Sequence, residues 1–386
     1  MSVSLKQRMY WVWQDKWLVA VLTWLPFLLC WLMWWIFSAG LVRSLPIGVV
    51  DLDHSQLSRQ LGTHYQSSPT LNVAAHYPSV LEASVALKSG DIYAVAVIPS
   101  DFEKNTLLGF PPKVTAFYNS QYILIGKLVS SALLQAQGTF TAKVDTVKGL
   151  AAGNKVISQA LNSAVPVRTQ ITALYNRNNN YAHFLVSAIV PAIWQVIVVA
   201  GTIMVLVNIT RNQPLSGGRS WLSNQPVKTF IAHLLPFYVI FLLQGMVLIS
   251  ALYIGLSWPM GGSWLWLFFA QGLMVAACMI MGALFFLLTL DGARALSLAG
   301  AYTAPGFAFM GVTFPVTDMT YPAQVWRSLL PSSHYIEIQV AQANYGLPAF
   351  DSLEPFMCLG LFVLPFIFVV LLIKKHVKQF STEVCS

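Results

Sequence analysis

Charge is scarce in this sequence. Of its 386 residues only 9% are Asp, Glu, Lys or Arg, against 56% hydrophobic residues, and the mean hydropathy is +0.63. Soluble domains carry about a quarter charged residues, so a wholly soluble protein is excluded. Acidic residues are scarcer than basic ones, 14 against 22. The basic surplus flanks apolar stretches and forms none of the aromatic-plus-basic clusters of an RNA or DNA reader. That excludes a nucleic-acid reader and fits the cytoplasmic edges of membrane spans. Cysteine is nearly absent: Cys30, Cys278, Cys358 and Cys385 are the whole set. None lies in the long polar segment, which therefore has no internal disulfide, and none has zinc-ligand spacing. No G-x-x-x-x-G-K-[ST] loop occurs, since Gly126-Lys127 is followed by Leu128. Nucleotide hydrolysis by this chain is not expected. No nucleophile-base constellation points to an enzyme, and neither metal nor cofactor is expected. His54, His64 and His76 read as scattered surface histidines.

Long apolar runs are abundant. A bilayer core needs roughly 20 apolar residues per helix, and six segments meet that length: 17–42, 184–207, 230–256, 264–290, 295–314 and 355–373. The expected fold is an α-helical polytopic membrane protein with six transmembrane helices in a 1+5 layout and an inserted external α/β domain at 43–183. The first run is too long for the apolar region of a signal peptide, about 7–15 residues, and reads as a retained anchor. Before it, residues 1–16 mix Lys6, Arg8 and Lys16 with Tyr10, Trp11 and Trp13, which suits a helix in the headgroup region. Helices 2–6 occupy 184–373, with a cytoplasmic loop at 208–229 and a tail at 374–386. Arg211, Arg219, Lys228, Arg294, Lys374, Lys375 and Lys378 all fall on one side, with Arg327 the exception. Positive-inside logic then places both termini in the cytoplasm.

Within the polar segment, strands are predicted at 47–50, 93–98, 114–118 and 167–174. Helices are predicted at 55–65, after a capping box at Ser79–Glu82, after a second at Ser100–Glu103, and over 121–161 with Phe140, Val144, Val147 and Ala151 on one face. Between the fifth and sixth runs, 322–345 is too polar to span and too apolar for plain loop. It reads as an outer re-entrant segment of two short helices divided by Pro331.

Ionisable and amide side chains inside the apolar runs are few. Asp291 and Arg294 sit at a tight cytoplasmic turn, close enough to pair, either shaping the turn or gating. Gln195, Gln244 and Gln271 either bond neighbouring helices or line a substrate path together with Phe307 and Met310. His334 and Glu337, three residues apart, share a helix face; with Pro331 they form either an outer gate or a structural cap.

Four segments carry a resemblance. They are Leu45-Pro46-Ile47-Gly48-Val49-Val50-Asp51-Leu52-Asp53-His54-Ser55, Leu174-Tyr175-Asn176, Gly311-Val312-Thr313-Phe314-Pro315 with Met319, and Leu330-Pro331-Ser332-Ser333-His334-Tyr335-Ile336-Glu337-Ile338. In this order, with the 1+5 layout, the chain resembles the ABC-2 type permeases of bacterial ABC exporters that carry a large external domain. The resemblance implies a multi-pass subunit of the bacterial inner membrane that pairs with a second permease, identical or not. It also implies a cytoplasmic ABC ATPase subunit and a periplasmic adaptor as partners. The cargo would be a hydrophobic or amphipathic compound moved outward, because few charges lie within the spans. One departure stands out: the acidic element such permeases carry in the first cytoplasmic loop is missing between Asn208 and Trp221. Coupling to the ATPase would instead fall to Arg211, Arg219, Trp221 and Lys228. The alternative is a non-transporting membrane protein whose external domain is a sensor or scaffold for an envelope or secretion assembly.

Overall fold

The structure, a computed structural model, describes residues 5–38, 40, 43–151, 156–165, 174–176, 180–213, 225–312 and 314–383. The chain divides into two compact units. One comprises Met1–Gly40 with Ala173–Ser386, the other Leu41–Thr172.

The first unit begins with α1 (Leu5–Gln14), α2 (Lys16–Leu22) and α3 (Leu25–Phe37). Asp15 separates α1 from α2 and caps α2 by accepting the N–H groups of Trp17 and Leu18, each at 3.2 Å. The first apolar run is not one straight helix, because α2 and α3 meet at 56°. The cause is Pro26 in the first turn of α3. A proline lacks an N–H, and its ring would collide with the carbonyl four residues back. The chain therefore leaves the helix at Thr23 (φ −125°, ψ −87°) and starts again.

Among its described residues the inserted unit has a four-stranded sheet of β1 (Leu45–Asp51), β2 (Leu71–His76), β3 (Ala94–Ile98) and β4 (Thr115–Tyr118), in the order β2-β1-β3-β4. β1 is parallel to β2 and β3, and β4 is antiparallel on the edge. Its helices are α4 (Gln56–Gln66), α5 (Val80–Ser89), α6 (Phe102–Leu108), α7 (Ile123–Ala151) and α8 (Ile157–Ala164). The pleat sends alternate side chains to opposite faces. Ile47, Val49 and Ala96 join Leu61, Tyr65, Leu133 and Phe140 in one core, and Val50 and Val95 meet Ala83 and Ala86 of α5 in the other. Gly48 is required on the second face, where a Cβ would stand 2.7 Å from the Tyr77 ring. β2 was not expected from the sequence. The strand predicted at 167–174 falls, but for Leu174, outside the described residues. α7 packs into the first core as far as Phe140 and Val144 of its predicted face, whereas Val147 and Ala151 of that face are exposed.

The Asp51–Ser55 motif turns out to be a hydrogen-bond knot at the carboxyl end of β1. Asp51 Oδ1 accepts the N–H groups of Asp53 and His54 at 3.0 Å, and its Oδ2 accepts the Ser58 hydroxyl at 2.6 Å. Ser55 Oγ caps α4 through the Ser58 N–H. The cap of α6 corrects the sequence reading. Ser100 does not supply it. Asp53, far back in the chain, accepts the N–H groups of Phe102 (2.9 Å) and Glu103 (3.1 Å). Asp101, at the N-cap, is left-handed and makes no side-chain cap bond. Burial works against the ionised Asp53. Hydrogen bonds from the Ser55 hydroxyl and the backbone N–H groups of Glu103, Phe102 and Asp101 outweigh it and hold the carboxyl below the usual carboxylate range. A lowered folded-state pKa means that this cap is fully stabilising above about pH 4 and is lost as pH falls through the folded value. Asp53→Ala is expected to cost about 1 kcal/mol. Faster amide exchange across α6 checks it, with the acid sensitivity of that exchange abolished in the variant.

The chain returns to the first unit through α9 (Tyr181–Asn212), α10 (Pro226–Ser250), α11 (Trp264–Thr289), α12 (Gly292–Thr303), α13 (Gly306–Phe309), α14 (Tyr321–Ser328), α15 (Pro331–Gln339), α16 (Leu353–Gly360) and α17 (Val363–Glu383). A π-turn, Ala251–Gly255, prolongs α10, and another, Val340–Tyr345, prolongs α15. Among the described residues four segments are long and apolar enough to cross a membrane: Tyr181–Asn212, Pro226–Gly255, Trp264–Thr289 and Ala349–Lys378. The bent α2–α3 pair makes five if it counts as one span. The run at 295–314 is not a continuous helix. α12 has 12 residues, about 18 Å of rise against a core of about 30 Å. It gives way at Ala304–Pro305, where the proline ring again forbids continuation. The membrane core is built on α9, whose buried face carries Val186, Val190, Trp194, Val198 and Leu206.

Candidate functional site

Between α13 and the end of α15 the chain builds a pair of short helices against α9. α14 ends at Ser328, Leu330 is extended (φ −98°, ψ 118°), and Pro331 opens α15. The residue before a proline avoids the helical region, and a proline is well placed at the first helical position, so the break is written locally. α15 is then tied to α9 at two points. Gln195 Oε1 accepts the Ser332 N–H at 2.8 Å, and Gln339 Nε2 donates to the Ser187 carbonyl at 2.8 Å. Gln339 also donates to the Tyr253 hydroxyl at 3.1 Å. These bonds occupy groups that would otherwise be orphaned at helix ends or inside the bundle.

A charged cluster closes the top of this pair. Arg327 is buried, and its Nη2 lies 2.5 Å from Glu337 Oε1. His334 Nδ1 lies 4.0 Å from Glu337 Oε2, and the other ring nitrogen meets the Ser328 carbonyl at 2.9 Å. A carbonyl only accepts, so Nε2 carries the proton. Glu337 is the outlet of the cluster, its side chain 43% exposed. Gly311 (φ +81°) packs beneath Arg327, and a Cβ there would stand 3.2 Å from Arg327 Nε and 2.8 Å from Val316. Met310 is buried with Ala188 and Ile336, and the Tyr302 hydroxyl donates to the Leu329 carbonyl. The segments from Met310 and from Leu330 are thus one packed element. Arg327, Gln339 and Gly311 complete a site in which sequence reasoning singled out only Pro331, His334 and Glu337. Arg327 had left a trace, as the one basic residue on the wrong side.

Gln195, Gln244 and Gln271 are all buried, and each spends a group on a neighbouring backbone. Gln244 Nε2 donates to the Val21 carbonyl beside the α2–α3 bend at 3.4 Å, and Gln271 Nε2 donates to the Leu242 carbonyl at 3.3 Å. Their Oε1 atoms find no partner among the described residues. Gln271 and Trp194 converge on Gly245, whereas Gln195 lies beside Gly306 on the α13 side. Phe307 is exposed and Met310 buried, so the five residues do not form one lining.

At the opposite end, Asp291 caps α12 by accepting the Arg294 N–H at 2.8 Å. No ion pair joins the two side chains among the described residues; the short side chain is already committed to the backbone. Arg211 and Asp291 line one cavity of about 720 Å³ with Asp15, Trp17 and Thr210. Lys228 is exposed in the first turn of α10, while Arg219 and Trp221 lie outside the described residues. No group of three His, Cys, Asp or Glu side chains among the described residues is placed to share a metal ion.

A bundle of long apolar helices with a helix pair folded into one end is the architecture of a polytopic membrane protein. The chain belongs to the ABC-2 transporter family: the family model described as ABC-2 family transporter protein matches residues 16–372. Membership makes it the membrane-embedded permease component of an ABC transporter, a subunit that is generally not itself an enzyme and that associates with an ABC ATPase subunit. No curated protein and no solved structure matches it.

Proposed function

We propose that this permease is the export half of a bacterial inner-membrane ABC transporter and that it moves a hydrophobic or amphipathic compound outward. The family match over residues 16–372 carries the reading, and the near absence of charge within the long apolar helices supports the class of cargo. The basic flanks support cytoplasmic termini and a cytoplasmic 208–229 loop, with residues 43–183 on the outside. Six crossings are reached if α2–α3 and the interrupted run at 295–314 each traverse the bilayer. Two permeases, identical or not, would frame the path, with an adaptor met by the outer unit. ATPase contact falls to Arg211, Arg219, Trp221 and Lys228, all at the basic end. The pair α14–α15 forms the outer gate, with Pro331 setting its break and the Arg327–Glu337–His334 cluster its latch. Gln244 and Gln271 offer unpaired acceptors within the bundle.

The test is capture of the tagged permease from native membranes. An ABC ATPase subunit should come with it, and Arg219→Ala with Trp221→Ala should lower ATP hydrolysis by the complex several-fold while both subunits still co-purify. An impermeant thiol reagent applied from outside should reach a cysteine placed at Asn105 and miss one at Gly217. Capture without an ATPase overturns the coupling, unchanged hydrolysis overturns the contact residues, and reversed labelling overturns the orientation.

A further inference from the structure

The bundle carries an apolar groove of about 360 Å³ between α10, α11 and α17. Ile231 and Leu235 form one wall, Phe366 and Val369 the other, and Ala276 and Ala283 the floor. On α11 the small Ala276 and Ala283 stand seven apart and leave room between α10 and α17, with Met279 and Ile280 lining the groove between them. Ile231 and Leu235 are 44% and 56% exposed, so the wall stands open to the surroundings of the helices. One end is closed by Tyr238, whose hydroxyl is already spent on the Gly272 carbonyl at 3.2 Å. The groove itself therefore offers a ligand no free hydrogen-bond donor.

The other end is basic. Lys228, Ile231, Leu235 and Tyr238 follow one another at spacings of three, four and three, which places them on one face of α10. From Lys228 to Tyr238 is about 15 Å along the axis, half of a hydrocarbon core of about 30 Å. The groove thus occupies the depth of a single leaflet. α17 runs antiparallel to α10 in sequence order across the bilayer, and its apolar stretch ends at Lys374 and Lys375, both exposed. Such side chains lay their stems along apolar surface and raise their ammonium groups to the interface. No Asp or Glu occurs in α10 or α11, and the one acidic residue of α17, Glu383, comes eight residues after Lys375, about 12 Å further along the axis, too far to neutralise the three lysines.

We propose that this groove is a binding site for an anionic phospholipid, with one acyl chain lying between Ile231, Leu235, Phe366 and Val369 and the headgroup phosphate held by Lys228, Lys374 and Lys375. The occupant follows from the combination. A featureless apolar slot of one-leaflet depth takes a hydrocarbon chain, and an uncompensated basic rim at its mouth selects a negative headgroup. The proposal requires only that the helices are embedded in a bilayer, so it stands apart from the direction and cargo of transport.

The experiment uses the full-length protein, reconstituted with equal amounts of phosphatidylglycerol and phosphatidylcholine of identical chains. It is then delipidated stepwise in detergent, and the retained lipids are counted by native mass spectrometry. A lysine at an anionic surface is worth about fivefold in affinity, so three sharing one headgroup should give at least about a tenfold preference for phosphatidylglycerol. The triple variant Lys228→Gln, Lys374→Gln, Lys375→Gln should retain phosphatidylglycerol no better than phosphatidylcholine. These positions are exposed, so folding is not at stake. Leu235→Trp, filling the groove from its exposed wall, should lose the last retained lipid of either kind. Equal retention of the two lipids by the unaltered protein overturns the proposal, as does a preference that survives the triple variant or retention that survives Leu235→Trp. A disulfide between two copies carrying Ile231→Cys would put a second permease on the groove and equally overturn it.

Discussion

Gly245→Ala is expected to destabilise this protein by about 3 kcal/mol, the upper end of the range for overpacking a tight core, and to remove most of it from the membrane. A Cβ at this position would collide with the Trp194 ring and with Gln271 Nε2. The two neighbours differ in what they can give. Gln271 is a flexible amide whose end can swing away, though only by abandoning its bond to the Leu242 carbonyl. Trp194 is 2% exposed and wedged in the main core, so its ring has nowhere to go. α9, α10 and α11 approach one another through this glycine, and in a bilayer helix association depends on such close contact because lipid is as apolar as the side chains. Thermal unfolding in detergent and the amount of protein per membrane check the size of the effect. Trp194→Leu should open space and restore part of the loss, giving a favourable coupling in the double variant. If Gly245→Ala alone unfolds at the normal temperature, the three helices are not packed as described.

The layout of this chain was legible wherever a signal was local. α9, α10 and α11 follow directly from runs of apolar residues, and Pro331 announced the α14–α15 break because a proline acts on its own neighbours. The interruptions at Thr23 and Ala304 were not read, although Pro26 and Pro305 stand beside them. An average over about 20 residues reports apolarity and is blind to a missing hydrogen bond. β2 was missed because Leu71-Asn72-Val73 alternates only briefly before Ala74 and Ala75, which carry little strand preference, and what makes it a strand is its partner β1. The capping of α6 by Asp53 is non-local, and a nearer Ser100 offered a plausible but wrong alternative. At the helix pair, His334 and Glu337 were readable from helical spacing. Gln339 was not, since a glutamine in an apolar setting has no signature until its neighbour is known, and Gly311 was noted only as part of a resemblance segment. Gln195 was recognised as unusual, but its partner on α15 lies 137 positions away, and no periodicity relates the two. The family resemblance was carried by segments whose physical content now differs. The Asp51–Ser55 motif closes turns and caps helices, whereas the two later segments form one element.

Gln195→Leu should release the amino end of α15. The Ser332 N–H is buried, and the amide oxygen of Gln195 is its acceptor; leucine fills a similar volume and accepts nothing. An unpaired buried donor costs about 1–3 kcal/mol, and inside a membrane protein no bulk water is at hand to replace the bond. That cost corresponds to a rise of roughly fivefold to 150-fold in the opening equilibrium, so amide exchange at Ser332 and Ser333 should accelerate by that factor. α9 itself should be unchanged, because its backbone bonds do not involve the side chain. The second tether, from Gln339 to Ser187 and Tyr253, should hold the far end of α15, so the helix pivots and is not lost. A pivot of this kind would draw His334 and Glu337 away from Arg327, and under the gate hypothesis outward transport should fall while the protein level and the bound ATPase persist. Adding Pro331→Ala removes the second determinant of the break, lets α14 and α15 merge, and should deepen the defect. Two outcomes separate the parts of the argument. Normal exchange at Ser332 in Gln195→Leu would show that the tether does not exist, whereas fast exchange with undiminished transport would leave the tether standing and end the idea that this helix pair is a gate.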